Sequence, residues 1–120
     1  MKTDTKKNLN FLKILSVDMI DAAKAGYPGI SLGASSIIYT LFTEHLNIMP
    51  SNPDWLNHDR LVLSAAHASG LVYANMYMAG FDITLDDLKN FGKPNSKTPI
   101  LNDMLKTKGI DMTTGPVGYG

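Results

Sequence analysis

The sequence predicts an α/β protein in which helices outnumber strands. The stretch Leu61-Val62-Leu63 is apolar on both faces, as in a central parallel strand that helices cover. Small residues follow it and lead into a helical pattern from His67 towards Met78, so a strand, a tight turn and a helix start come in succession. Apolar residues at helical spacing elsewhere predict three further helices.

The first predicted helix begins at a cap on Thr3 or Asp4 and ends near Lys24. Its apolar positions form a wide stripe, so we expect much of this helix to be buried. They are Phe11, Leu12, Ile14, Leu15, Met19, Ile20, Ala22 and Ala23. The segment Gly26-Tyr27-Pro28-Gly29 then ends the pattern, because glycine permits positive φ and proline cannot continue the hydrogen-bond ladder.

Two more helices are predicted on either side of the strand. One runs from about Gly33 to Leu46, with an apolar side at helical spacing. The other starts at Thr84, which forms a capping box with Asp87, and reaches Phe91. From Gly92 to Met112 the pattern indicates a loop with one turn around residues 103–106.

The composition excludes several kinds of function. Eleven basic and eleven acidic residues cancel, so no net charge attracts the chain to nucleic acid or to a membrane. The sequence has no cysteine, which excludes a disulfide framework and fits a reducing, cytoplasmic location. No run approaches the roughly 20 apolar residues of a membrane span. The first seven residues lack the apolar core of a signal peptide.

A lone buried strand leaves its backbone hydrogen-bonding groups unpaired, which is costly. The sequence offers no convincing partner strand. We therefore expect residues 1–120 to be the opening portion of a larger α/β domain, or to need another chain to complete the sheet. Association with itself or with a complementary chain would also cover the broad apolar helix faces.

The turn that follows the predicted strand is a candidate anion site. Unpaired backbone N–H groups point outward at a helix start and favour negative charge. His67 lies at this turn, where its ring is in position to meet a phosphate oxygen. The residues alone favour a simpler structural role, in which a half-buried His67 bonds a nearby backbone carbonyl.

No other group of residues predicts a catalytic or metal site. Asp86 and Asp87 are adjacent, so they diverge on a helix and serve its first turn. The three histidines show no metal-ligand spacing, and we expect His45 and His58 to be surface or packing residues.

Four sequence blocks together resemble one enzyme family. They are Lys13–Asp18, Ala25–Gly33, Asp59–Ser69 (D-R-L-V-L-S-A-A-H-A-S) and Thr113–Gly120 (T-T-G-P-V-G-Y-G). In this order and spacing they resemble the amino-terminal part of transketolase. That family uses thiamine diphosphate to move two-carbon ketol units between sugar phosphates.

The resemblance implies a thiamine-diphosphate-binding fold and assigns roles to individual residues. It implies that His67 contacts the cofactor's diphosphate, that Gly115 approaches the same group, and that the backbone at Pro116 and Val117 lies over the aminopyrimidine ring. Tyr27 occupies the position of a family histidine that meets substrate. The family's Mg²⁺ ligands and its second domain are not in this sequence, so this chain supplies no metal ligand.

The sequence also departs from the family pattern. Ala66 and Ala68 replace glycines, which makes positive φ costly there. Ile100-Leu101-Asn102 follows the family's S-K-T-P, so a second substrate-site histidine is missing, and Tyr119 replaces a glutamine. A Tyr27 ring packed over its own loop, or a flexible glycine-rich segment at Gly115, is the alternative to a functional role.

Two functions remain open from the sequence. In the first, the chain is a piece of a transketolase that acts only when another chain supplies the rest. In the second, it is a non-catalytic relic or an interaction fragment. In either case we expect the isolated chain to be inactive and to bind thiamine diphosphate at about millimolar affinity, because His67 and one or two backbone amides contribute only a few kcal/mol.

Overall fold

Helices surround one buried helix in the fold. A computed structural model describes residues 3–116. In chain order its elements are α1 (Thr3–Ala23), α2 (Pro28–Gly33), α3 (Ser35–Thr40), a π-helical turn (Leu41–His45), a 3₁₀ turn (Ala66–Ala68), α4 (Ser69–Ala79) and α5 (Leu85–Lys89). Within this part of the chain no helix combines the length and the apolar character needed to cross a membrane.

The mainly helical character is confirmed, but the predicted strand at Leu61–Leu63 is wrong for the described residues. No strand is formed between residues 3 and 116, so the α/β class is not confirmed for this portion. The segment lies beside residues 111–115 and bonds side chains there. The Leu61 N–H donates to the Asp111 carboxylate at 2.9 Å, and the Leu63 carbonyl accepts from the Thr114 hydroxyl. Without a continuous backbone partner the segment forms no ladder.

The helix boundaries follow local capping signals. α1 ends one residue before the predicted Lys24, and Asp4 lies inside its first turn, so Asp4 is not the cap; the side chain of Thr3 lies outside the description. The second predicted helix, Gly33 to Leu46, corresponds to α3 and the π-helical turn, which together run from Ser35 to His45. α2 is an additional short helix that was not predicted, and Pro28 occupies its first turn, where the fixed φ of proline favours a helix. Pro28 therefore begins a helix as well as ending the previous pattern.

The later helices agree closely with prediction. The predicted start at His67 is a 3₁₀ turn that leads into α4, and Gly80, with φ of +91°, ends α4 in the left-handed conformation. The capping box of α5 is confirmed. The Asp87 N–H donates to Thr84 Oγ1 at 3.1 Å, and the Thr84 N–H donates to Asp87 Oδ2 at 2.8 Å.

The core lies around α4, whose residues from Ser69 to Met76 are all buried. The expectation that much of α1 is buried is wrong at Phe11 and Ile14, whereas Ile20, on the same widened stripe, is buried. Leu12 and Met19 are buried, whereas Phe11 is 49% and Ile14 61% exposed. The exposed side has no partner within residues 3–116.

Asn102 joins α4 to the last described segment through a buried polar network. Its backbone N–H donates to Ser69 Oγ at 2.8 Å, and its Nδ2 donates to the Met112 carbonyl at 2.7 Å. Its Oδ1 lies 2.9 Å from the Thr114 hydroxyl. Ser69 in turn donates to the Ala66 carbonyl. One buried amide therefore fixes residues 112–114 against the turn that precedes α4.

We expect the substitution Asn102→Ala to lower the free energy of unfolding by about 2 kcal/mol or more, since it removes the side-chain hydrogen bonds to Thr114 and Met112 and leaves the Met112 carbonyl without this partner. Urea denaturation measures this change. The matched control is Asn10→Ala at an exposed position of α1, expected to stay within about 0.5 kcal/mol of the parent. Equal stabilities of the two variants would show that the network does not hold this segment.

Gly109 offers a second test, because it sets the course of residues 110–115. Its φ is +102°, and an added Cβ would lie 2.8 Å from the Phe81 ring and 2.9 Å from Met76 Cε. Gly109→Ala should therefore destabilise the fold by about 1–3 kcal/mol in thermal or urea unfolding. Gly29→Ala, with open space around the new Cβ in α2, should instead stabilise it by about 0.4–1 kcal/mol. A neutral Gly109→Ala would contradict this packing.

Candidate functional site

His67 lies in the 3₁₀ turn directly before α4 and is half-buried. Its neighbours Ala66 and Ala68 are buried, so their small side chains are needed for packing. Ala68 has φ of −84°, and neither alanine has positive φ. The cost of positive φ at alanine therefore does not arise, because this turn uses backbone conformations that any residue adopts.

The Tyr27 and His67 rings are in direct contact. Their centroids are 4.3 Å apart and their planes are almost perpendicular, at 87°. Among residues 3–116 the imidazole makes this aromatic contact and no hydrogen bond to a backbone carbonyl. The Tyr27 ring, 43% exposed, packs on His67. This packing contact does not decide between a structural and a functional role for either side chain, and both roles stay predictions.

Gly26 delivers Tyr27 to this position. Its φ of +119° turns the chain between α1 and α2, and an added Cβ would lie 3.0 Å from Ile20 and 3.2 Å from Phe91. Only a residue without a side chain fits this close passage over the core. Tyr27 then precedes Pro28 at the start of α2.

Gly115 meets the same turn from the other side. The Ala66 N–H donates to the Gly115 carbonyl at 3.1 Å. Leu61 with Asp111 and Leu63 with Thr114 form the two preceding contacts, so the two segments run parallel. The structure therefore brings Tyr27, His67 and Gly115 together. Pro116 follows in a half-buried bend, and Val117 and Tyr119 lie outside the described residues.

At the opposite end of these two segments lies an ion pair that the sequence did not predict. His58 Nε2 is 2.6 Å from Asp111 Oδ1, and His58 Nδ1 contacts the Trp55 carbonyl. The hydrogen bond to Asp111, followed by the one to the Trp55 carbonyl, raises the pKa of His58 above its ordinary value. His58 is thus a packing residue with a specific partner, whereas His45 is exposed.

Asn102 and Asp111 are the positioning residues that sequence reasoning missed. Their partners lie 33 and 53 residues away, so no local periodicity reveals them. The one available signal was that Asp111 lies two residues before the block that contains Gly115.

The donor set fits one side of an anionic group and does not fit a metal. The turn before α4 carries an imidazole at the positive end of a helix dipole, and the imidazole can donate a hydrogen bond to a diphosphate. The N–H groups of Ala66, Ala68 and Ser69 already donate to the carbonyls of Gly115, Ala65 and Ala66. Within the described residues no three histidine, aspartate or glutamate side chains are close enough to hold a metal ion.

Sequence relatives agree with the motif pattern. The family model described as "Transketolase, thiamine diphosphate binding domain" matches residues 4–120. The chain is 45% identical to the transketolase of Bacillus subtilis over 120 residues, which are 100% of this chain and 18% of that protein. It is 49% identical to the transketolase of Aquifex aeolicus over 112 residues, or 93% of this chain and 16% of that protein.

Solved structures agree with the fold. A transketolase mutant from Pichia stipitis in complex with fructose 6-phosphate superposes with a TM-score of 0.93 at 35% identity, over 98% of this chain and 17% of that one. The transketolase of Campylobacter jejuni gives a TM-score of 0.88 at 41% identity, over 97% of this chain and 18% of that one. The chain thus spans between 16% and 18% of the length of these relatives. Motif order, fold and sequence identity agree along the chain, and it therefore belongs to the transketolase family.

Proposed function

We propose that this chain forms one wall of the thiamine diphosphate site of a transketolase, which transfers two-carbon ketol units between sugar phosphates. The observation that supports this most directly is the 3.1 Å hydrogen bond between the Ala66 N–H and the Gly115 carbonyl. It places the His67 turn beside Gly115, the two positions that the family resemblance assigns to one diphosphate.

In this proposal the turn before α4 holds the diphosphate. The positive end of the α4 dipole favours the negative charge. The His67 imidazole donates a further hydrogen bond to a phosphate oxygen. Tyr27 orients that imidazole, because edge-to-face aromatic contacts contribute about 0.5–1.5 kcal/mol and prefer one relative geometry.

Gly115, Pro116 and Val117 form the second part of the wall. The Gly115 carbonyl is already held by Ala66, so its backbone is fixed while the absence of a side chain leaves room for the cofactor. We propose that the backbone at Pro116 and Val117 lies over the aminopyrimidine ring.

Tyr27 is proposed to face the substrate, since its exposed ring lies beside His67. Its hydroxyl can donate a hydrogen bond to a sugar oxygen, but a phenol is a poor proton acceptor at neutral pH. When bound, thiamine diphosphate supplies the carbon–carbon bond chemistry, while the residues of this chain bind and orient it.

The remaining parts of the site are proposed to come from outside this chain. We place the Mg²⁺ ligands outside the described residues, and we propose that the active enzyme is a homo-oligomer or includes a complementary transketolase chain in the cytoplasm. The exposed apolar side chains of Phe11 and Ile14 on α1 and of Ile37 on α3 offer surfaces for such a partner.

The same apolar faces also fit the second candidate function, a non-catalytic interaction fragment. Tyr27 occupies the position of the family histidine that meets substrate. The absence of that histidine favours the non-catalytic candidate. Transfer of a ketol unit between sugar phosphates by the protein that contains this chain would separate the two, because an interaction fragment would show none.

We expect the isolated 120-residue chain to bind thiamine diphosphate with a dissociation constant of about a millimolar, and not to turn over sugar phosphates. One wall leaves most of the cofactor's surface without contacts. Isothermal titration in the presence of Mg²⁺ measures the affinity, and a micromolar constant would contradict the proposed one-sided site.

In the complete enzyme, His67→Ala should raise the dissociation constant for thiamine diphosphate at least about tenfold, because a hydrogen bond to a charged group contributes about 1.5–3 kcal/mol. The control His45→Ala removes an exposed imidazole from the π-helical turn and should leave the constant unchanged. Equal constants for both variants would remove His67 from the site.

A further inference from the structure

The His58–Asp111 pair connects the two parallel segments at the end remote from His67. Asp111 contacts His58 with one carboxylate oxygen, at 2.6 Å, and accepts the Leu61 N–H with the other, at 2.9 Å. Asp111 therefore bridges the loop that carries His58 and the segment that leads to the His67 turn.

The protonation of His58 follows from its two neighbours. Nδ1 contacts the Trp55 carbonyl, and Nε2 contacts the Asp111 carboxylate. Both neighbours only accept hydrogen bonds, and a neutral imidazole carries a single N–H. Both contacts are satisfied together only when the ring carries two protons and a positive charge.

The surroundings limit the access of water to the pair. The His58 and Asp111 side chains are 13% and 14% exposed. The hydrogen bond to Asp111 raises the pKa of His58 most strongly, and the Trp55 carbonyl adds to it, whereas burial and the positive charge of Arg60 lower it.

Two other charged groups face the pair, and both are already engaged. The Arg60 guanidinium donates to the carbonyls of Leu56 at 3.1 Å and His58 at 2.6 Å. The Asp59 carboxylate, which lines a small apolar cavity together with His58 and Asp111, accepts the Asn47 N–H at 2.7 Å. Asp111 is thus the carboxylate that pairs with the His58 ring.

We propose that His58 is a positioning residue: as an imidazolium it holds Asp111 against Leu61 and so sets the spacing between the segments that carry His67 and Gly115. That these two segments hold the cofactor's diphosphate rests on the proposed function. A neutral ring would place a lone pair against the Asp111 carboxylate or the Trp55 carbonyl, which weakens the bridge. The Leu61 contact then loosens, and the contacts at Thr114 and Gly115 lose their fixed register.

The pH dependence has a definite sign. The pKa of His58 is raised in the folded state, so its contribution to stability is fully present below the ordinary value of 6.5. It is lost as pH rises through the raised pKa. Affinity for thiamine diphosphate should fall over the same pH interval if the His58–Asp111 pair acts as a clamp that positions the site.

The test compares wild-type protein with His58→Gln and His58→Arg between about pH 5 and pH 9. Arginine stays charged and carries several donors, so it should keep the bridge at every pH. Glutamine carries no positive charge and cannot replace the imidazolium between the Asp111 carboxylate and the Trp55 carbonyl. His45→Gln is the matched control at an exposed histidine. The readouts are melting temperature, hydrogen exchange of the peptide 61–66 corrected for the intrinsic rate, and the dissociation constant for thiamine diphosphate.

We expect the melting temperature of the wild type and of His45→Gln to fall in one step as pH rises through the raised pKa. His58→Gln and His58→Arg should lack that step. The melting temperature of His58→Gln should stay at the lower level at every pH, and that of His58→Arg should stay at the higher level. Near pH 6, His58→Gln should bind thiamine diphosphate about 2- to 30-fold more weakly, and His58→Arg close to wild type. Exchange in the wild-type peptide should quicken over the same interval, a readout that needs no substitution.

The same pH profile in wild type and His58→Gln, with unchanged exchange of the peptide 61–66, would overturn the clamp. Steps in melting and exchange without any change in the dissociation constant would overturn the positioning of the site. An absence of cofactor binding in the wild type would refute the proposed function instead, and the melting and exchange profiles would still decide whether His58 acts as a clamp.

Discussion

The candidate site depends on how residues 61–66 and 111–115 are held side by side. The two segments run parallel, yet the backbone contributes a single direct hydrogen bond between them, from Ala66 to Gly115. Side chains supply the other links: the Asp111 carboxylate binds Leu61, and the Thr114 hydroxyl contacts Leu63. Even a two-stranded hairpin is marginally stable in water, so a single backbone hydrogen bond is too little to hold two extended segments together. The spacing at the site is therefore set by side chains from half-buried positions, and groups far from the cofactor can change it.

The buried helix α4 gives this arrangement a rigid base. Because its residues from Ser69 to Met76 are all buried, the 3₁₀ turn at its start has little freedom to move. Asn102 ties the opposing segment to the first residue of α4, and Gly26 lets Tyr27 approach from a third direction. The site is thus the meeting point of three stretches of chain, each fixed by the core or by a buried hydrogen bond.

How far the sequence predicts this depends on the range of the interactions. The ends of α4 and α5 were predicted within about two residues, because Gly80 and the Thr84–Asp87 capping box act locally. The strand at 61–63 failed because a strand requires partners that residues 3–116 do not supply. The bridge from His58 to Asp111 spans 53 residues and has no periodic signature. The proximity of His67 and Gly115 is predicted by the family resemblance and not by periodicity.

Two surfaces of the chain expose apolar side chains to water. Val62, in the segment that forms no ladder, is 50% exposed, and apolar side chains of α1 and α3 face outward as well. A ligand that binds only the folded state stabilises it according to its concentration relative to its dissociation constant. A cofactor with a millimolar dissociation constant therefore adds little stability when its concentration lies below that constant. Covering the apolar faces removes far more apolar area from water than one diphosphate contact can. Under the proposed function, tight cofactor binding should therefore follow assembly with further protein.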